Sequence, residues 1–231
     1  MFYIYSSVSL GGKNMTQCAV TYSEKQDRFN FISHLLGIPV GAGILVFALV
    51  MFINQKIAIG TLTGLVVFSM TAIALYSVSA LYHHAEQMTK KKKVRRIVDH
   101  CTIYALIAGT YTPICIYIMK ENVIGLVLLI LQWSLAIIGV VLNAISLDNK
   151  VIKVISMILY IAMGWMILYT TGFTQLPQLS FIFILVGGII YTIGSILYGI
   201  GHANKWFHSI FHVFVLFGTI FQTVGVIFLF I

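Results

Sequence analysis

IAIGTLTGLVVFSMTAIALYSVSALY, residues 57–82, runs directly into HHAEQMTKKKKVRR, residues 83–96. The first stretch carries no charged side chain and is long enough for a helix to cross a bilayer core, which takes about 20 residues. The second is dense in Lys and Arg, which gather on the cytosolic side of a membrane. An apolar run ending on a basic cluster is the mark of a spanning helix whose end faces the cytosol.

The whole chain follows this pattern. Of its 231 residues 60% are apolar and 9% charged, with a mean hydropathy of +1.00. A soluble globule carries a charged shell of about a quarter of its residues, so lipid must be the solvent here. A net charge of +8 would suit nucleic acid if it were spread over one face. It is confined to short segments between apolar runs, which fits anionic lipid headgroups, and no nucleic-acid partner is expected. Cys18, Cys101 and Cys115 stand at no metal-ligand spacing and read as small apolar fillers.

Seven apolar runs predict an all-α integral membrane bundle of seven transmembrane helices: 32–53, 57–82, 98–118, 123–145, 151–172, 180–200 and 207–230. Short polar separators leave no room for a soluble domain, so residues 24–231 form one membrane domain. Residues 1–23 lack helical periodicity and make a poor signal peptide, since Lys13 follows the apolar run. They are expected to be a disordered cytosolic segment, with Met15 an alternative start.

Counting Lys and Arg by side fixes the orientation. Lys13, Lys25, Arg28, Lys90 to Lys93, Arg95, Arg96, Lys150, Lys153 and Lys205 fall on the N-terminal side, against Lys56 and Lys120 opposite. The N-terminus is therefore expected in the cytosol and, with seven spans, the C-terminus outside. Gly37-x-x-x-Gly41 and Gly60-x-x-x-Gly64 read as close-packing motifs. Pro39 and Pro113 are expected to kink the first and third spans, and Trp206 to anchor an interface.

Ionisable groups in spans are costly and are functional candidates. His208-Ser-Ile-Phe-His212 opens the last span, and residues four apart share a helical face. Such a pair can present two ligands to zinc, although alone the pattern is weak. Ser79-Ala-Leu-Tyr-His83 ends the second span with the same spacing, and Asp99 begins the third. The predicted directions bring His83, Asp99, His208 and His212 to the cytosolic ends of their helices. Three imidazoles with an open position are the layout of a catalytic zinc, Zn2+. Asp99 can take a proton from a zinc-bound water, and Ser79 can bond the water or a carbonyl. The competing readings are a salt bridge from Asp99 to Arg95 or Arg96, and a back-bond from Ser79 to the preceding turn. His84 is expected to meet solvent or headgroups, His100 to face away from the cluster, and His202 to lie in a loop. His34, following Asp27 and Asn30 on the first helix, ranks below the three as a ligand.

These residues resemble a known family. Asn30-Phe-Ile-Ser-His34-Leu-Leu-Gly37, Ser79-Ala-Leu-Tyr-His83, Asp99-His100 leading into Ile107-Ala-Gly-Thr-Tyr-Thr-Pro113, and His208-Ser-Ile-Phe-His212 are similar to motifs of the hemolysin III family. That family is the bacterial branch of the progestin and adipoQ receptor superfamily, related to the adiponectin receptors. The resemblance covers the chain from about residue 24 onward. It implies seven helices, a cytosolic N-terminus, and zinc on His83, His208 and His212 with Asp99 and Ser79 beside the bound water. One departure is Asp27, where the family usually has Glu.

Three functions compete. The first is a zinc-dependent hydrolase of a lipid amide or ester, serving membrane lipid homeostasis in the cell membrane; relatives linked to ceramidase-like chemistry add to it. Its partners would be membrane lipids and a lipid-like substrate or ligand. The second is a cytolysin or pore former, as the family's name implies, which sits poorly with a chain that has no soluble phase. The third is a receptor or sensor with structural zinc. A transporter would need mid-membrane charges and a broken-helix repeat, which the sequence lacks.

Overall fold

The sequence Ser23-Glu24-Lys25-Gln26 starts a helix before the membrane run begins. The Gln26 amide donates to Ser23 Oγ at 3.3 Å and the Ser23 amide donates to Gln26 Oε1 at 2.9 Å, a reciprocal capping box. The computed structural model describes residues 22–87, 89–169, 174–200 and 204–231, whose regular structure is entirely helical. Cys18, the Met15 start, the expected disordered segment up to residue 21, and His202 lie outside the described residues.

The helices are α1 (Glu24–Leu35), α2 (Ile38–Ile53), α3 (Ile59–His83), α4 (Lys90–Met119), α5 (Ile124–Ser146), α6 (Lys150–Gly164), α7 (Gln178–Ile200) and α8 (Trp206–Ile227). The first expected span is thus two helices in tandem. They break at Leu36-Gly37, and Pro39 sits in the first turn of α2, where its missing amide costs nothing. The second proline, Pro113, lies inside α4, which continues past it.

α1 is amphipathic in the inverse sense. Gln26, Asp27, Asn30, Ser33 and His34 are buried, whereas Phe29, Ile32 and Leu35 are exposed. In water such a helix would be inside out. In a membrane it offers lipid an apolar face and the bundle a polar one. Trp206, at the start of α8, meets the exposed Phe29 edge-on at 6.2 Å, in keeping with an interfacial anchor.

Among the described residues six segments are long and apolar enough to cross a membrane, with α1 and α2 counted together. The expected fifth span, 151–172, differs. Its α-helix stops at Gly164, about 22 Å from its start, and a 3-10 turn follows at Met166–Tyr169. Side chains from neighbouring helices take over the carbonyls at the break. Gln132 Nε2 donates to Met163 O at 2.8 Å, and Tyr111 Oη donates to Gly164 O at 2.7 Å. An unwound backbone is tolerated at membrane depth only when protein satisfies it in this way.

Neighbours in sequence pack side by side from α2 to α5, α7 pairs with α8, and α1 lies across α3 and α8. α3 and α4 are the most buried spans, with Phe68, Tyr76, Tyr104 and Ile114 in the core. Three of the four motif glycines serve close approach. A Cβ on Gly41 would come within 3.1 Å of the Ile73 amide, and one on Gly64 within 3.2 Å of Pro113 Cα; on Gly37 it would enter the Tyr76 ring. Gly60 faces open space, so the second motif acts through one glycine. Gly64→Ala should therefore cost about 1–3 kcal/mol by overpacking, whereas Gly60→Ala should cost nothing. Thermal unfolding of the two variants in detergent checks this, and equal melting temperatures would contradict it.

Candidate metal centre

Two helices deliver three imidazoles to a single point. His83 is the last residue of α3, and His208 and His212 lie one turn apart near the start of α8. All three are buried. His208 Nε2 stands 3.0 Å from His212 Nε2 and 3.5 Å from His83 Nε2. The three offer ligand atoms all within 4.8 Å of one another. Zinc–nitrogen bonds of about 2.0–2.1 Å at tetrahedral angles separate the nitrogens by roughly 3.3 Å. The two measured spacings bracket that value. Neutral N–H groups cannot all donate into one another at such a point, so the donor set suits a shared cation. The group can hold a metal ion.

Asp99 and Ser79 come to the same place. With His34, His208 and His212 they line the head of a largely apolar cavity. The cavity follows α8 from His208 to Gln222, roughly 21 Å of helix. Both competing sequence readings fail on contacts. Arg96 pairs with Asp148 at 2.8 Å and Arg95 donates to Leu81 O at 2.6 Å, whereas His100 Nδ1 lies 3.7 Å from Asp99. Ser79 Oγ makes no back-bond; it is buried with no hydrogen-bond partner among the described residues. His84 is exposed, as expected. The expectation for His100 needs correction. It lines the cavity too, with Nδ1 2.9 Å from Arg96 O and Nε2 3.2 Å from Tyr198 Oη, because α4 starts well before Asp99 and turns both residues inward.

Two contributors escaped the sequence reading. Tyr22, just before α1, stacks on His208 with 4.8 Å between ring centroids and 19° between planes. Burial, reinforced by the neighbouring Tyr82, pushes its phenol well above the usual pKa, so it stays protonated at neutral pH. The other is Lys92, a buried member of the basic run, which bonds Asp27 as described below.

The comparisons with known proteins agree with these motifs. The family model described as "Haemolysin-III related" matches residues 22–223. The chain belongs to the haemolysin III family. A "Hemolysin-3 homolog" of Bacillus subtilis (strain 168) is 32% identical over 200 residues, covering 86% of this chain and 91% of the relative. A "Hemolysin-3" of Bacillus cereus is 33% identical over 205 residues, covering 87% and 90%. No solved structure gives a significant match. Family membership and the apolar helices make this a multi-pass protein of the cell membrane.

In this haemolysin III protein Asp27 acts on one of the three imidazoles. Its Oδ1 lies 2.8 Å from His83 Nδ1, and its Oδ2 accepts from Lys92 Nζ at 2.7 Å and from Gln87 Nε2. A carboxylate only accepts, so Nδ1 carries the proton and the Nε2 lone pair is left for a metal. Such outer partners fix ring orientation and strengthen the ligand. If the group holds a metal ion, Asp27→Asn should weaken its binding by about 10–100-fold, with Asp27→Glu closer to wild type. Competition with a chromogenic chelator measures both, and an unchanged affinity in Asp27→Asn would remove this role.

Proposed function

We propose that the protein is a zinc-dependent hydrolase of a lipid amide or ester, held in the membrane by seven spans. The observation that carries this reading is the convergence of three buried imidazoles at the polar head of a long apolar cavity. His83, His208 and His212 would hold the ion. Zinc in such a site supplies a Lewis acid and acidifies a coordinated water to a pKa of roughly 7. Asp99 borders the same space and is placed to hold a proton, with Ser79 Oγ available to donate to a carbonyl. The apolar cavity would take hydrocarbon and keep bulk water away.

The competing reading, lysis, draws on the relatives named for haemolysin. The placement of the ionisable groups favours hydrolysis, since Asp99, His208 and His212 meet at one end of the cavity. Purified protein should contain one zinc per chain and release fatty acid from a panel of lipid amides and esters. His208→Ala should lower both zinc content and turnover at least a hundredfold. A zinc-loaded protein inert toward the whole panel would exclude the hydrolase, and lysis that survives zinc removal would favour the alternative.

Seven spans require residues 150–172 to cross the membrane despite the break at Gly164. The Lys and Arg distribution supports that count together with a cytosolic N-terminus. Single cysteines introduced at Lys91 and at Lys120, in a background without native cysteines, should label from opposite sides in intact cells. Labelling of both from one side would overturn the topology.

A further inference from the structure

The cavity that starts at the imidazoles also has a far end, and three helices close it at one level. The last residue to line it is Gln222 on α8 and Tyr111 on α4. α7 runs the other way, from Tyr198, whose ring lies 5.5 Å from that of His208, down to Gly188. One turn beyond that level each helix contributes to the packed core instead. Val226 on α8, Ile184 on α7, and Ile114 and Cys115 on α4 are all buried in one apolar cluster. The cavity is therefore blind at this end.

Gln222 is the side chain that meets the cavity there. Its Nε2 donates to Ile184 O at 3.0 Å, so the amide reaches from α8 across to α7. Gly187 makes room for it, since a Cβ at that position would lie 3.0 Å from Gln222 Cγ and 3.1 Å from Nε2. The hydrogen bond and the close approach fix the side chain, with Ile184 and Val226 behind it. Between head and floor the wall is apolar, with Ile103, Ile107, Phe211 and Val215. The depth from His208 to Gln222 is about 21 Å of helix. An extended saturated chain advances about 1.3 Å per carbon, so about 16 carbons fill that depth.

We propose that Gln222 is the floor of a blind hydrocarbon site and limits its ligand to a single chain of about 16 carbons. The proposal rests on the reading that a lipid-like molecule lies in this cavity with its polar head at the imidazoles. A longer chain must either lift its head away from them or press into the core, and overpacking a core is costly. Gln222 sets specificity by shape and touches none of the reacting atoms.

The test competes 1-alkanols, from dodecanol to eicosanol, against a dodecanol brominated at its tip, in lipid nanodiscs. The bromine quenches Trp165, which borders Gly188 at 3.6 Å from a Cβ built there, about 15 Å from the head. Displacement restores the fluorescence, and the difference from Trp165→Phe isolates the signal. Affinities are expressed against alkanol concentration in the bilayer, because lipid tails are as apolar as the cavity wall. Wild type should bind dodecanol through hexadecanol alike and octadecanol about tenfold more weakly. Gln222→Ala should bring octadecanol to the level of hexadecanol, and Gln222→Thr, a second truncation, should act in the same direction. Gln222→Leu, which keeps the length of the side chain, should keep the wild-type limit. Affinities that stay level through eicosanol in wild type would overturn the floor and leave the lipid-binding cavity standing. A limit that neither truncation moves, or that Gln222→Leu removes, would do the same. A reporter that fails to quench Trp165, or that no alkanol displaces, would overturn the cavity reading along with it. The titration requires no metal, so its result is separate from the question of hydrolysis.

Discussion

The carboxylate of Asp27 joins three helices at the end of the bundle where polar groups are buried. It sits on α1, bonds His83 at the end of α3 and bonds Lys92 near the start of α4. Each partner needs the others. A buried carboxylate without Lys92 would be an uncompensated charge, and such a charge is expensive away from water. An imidazole without Asp27 would have no fixed tautomer. The ion pair and the hydrogen bond therefore hold the loop between α3 and α4 and aim the His83 imidazole with the same atoms. The rest of the site is arranged around that fixed ring, with α8 bringing two more imidazoles to meet it.

Much of this was legible in the residues. Apolar run length revealed six of the spans, because lipid imposes a length and forbids charge over it. The site was legible for a related reason: few polar residues are affordable in such segments, so His83, Asp99, His208, His212 and Ser79 stood out. What escaped notice lay where hydropathy is a poor guide. α1 reads as a polar lead-in since its mean hydropathy is low, yet its polar residues face inward. The Ser23–Gln26 capping box was the available signal. Lys92 hid among identical neighbours, and only the helical phase of α4 turns it in while Lys91 and Lys93 face out.

The break after Gly164 had no signal in composition. Gly164 and Trp165 are ordinary in a span, and the carbonyls freed there are satisfied by Gln132 and Tyr111, from helices far off in sequence. A long-range hydrogen bond that ends a helix cannot be read from the helix itself. The same break brings Trp165 to the cavity wall, where its indole donates to Thr192 on α7 at 2.9 Å.

The inverse amphipathicity of α1 bears on how the chain is assembled. α1 contacts α3 and α8, and α8 is made long after α1. Until α8 arrives, part of the surface that shelters His34 does not exist. α1 thus leaves the ribosome long before all of its final neighbours have been made. The imidazole cluster inherits this order, since His83 and His208 are 125 positions apart. A centre built from residues so far apart can exist only once α8 is in place, so a bound ion would also be a record that this step had been reached.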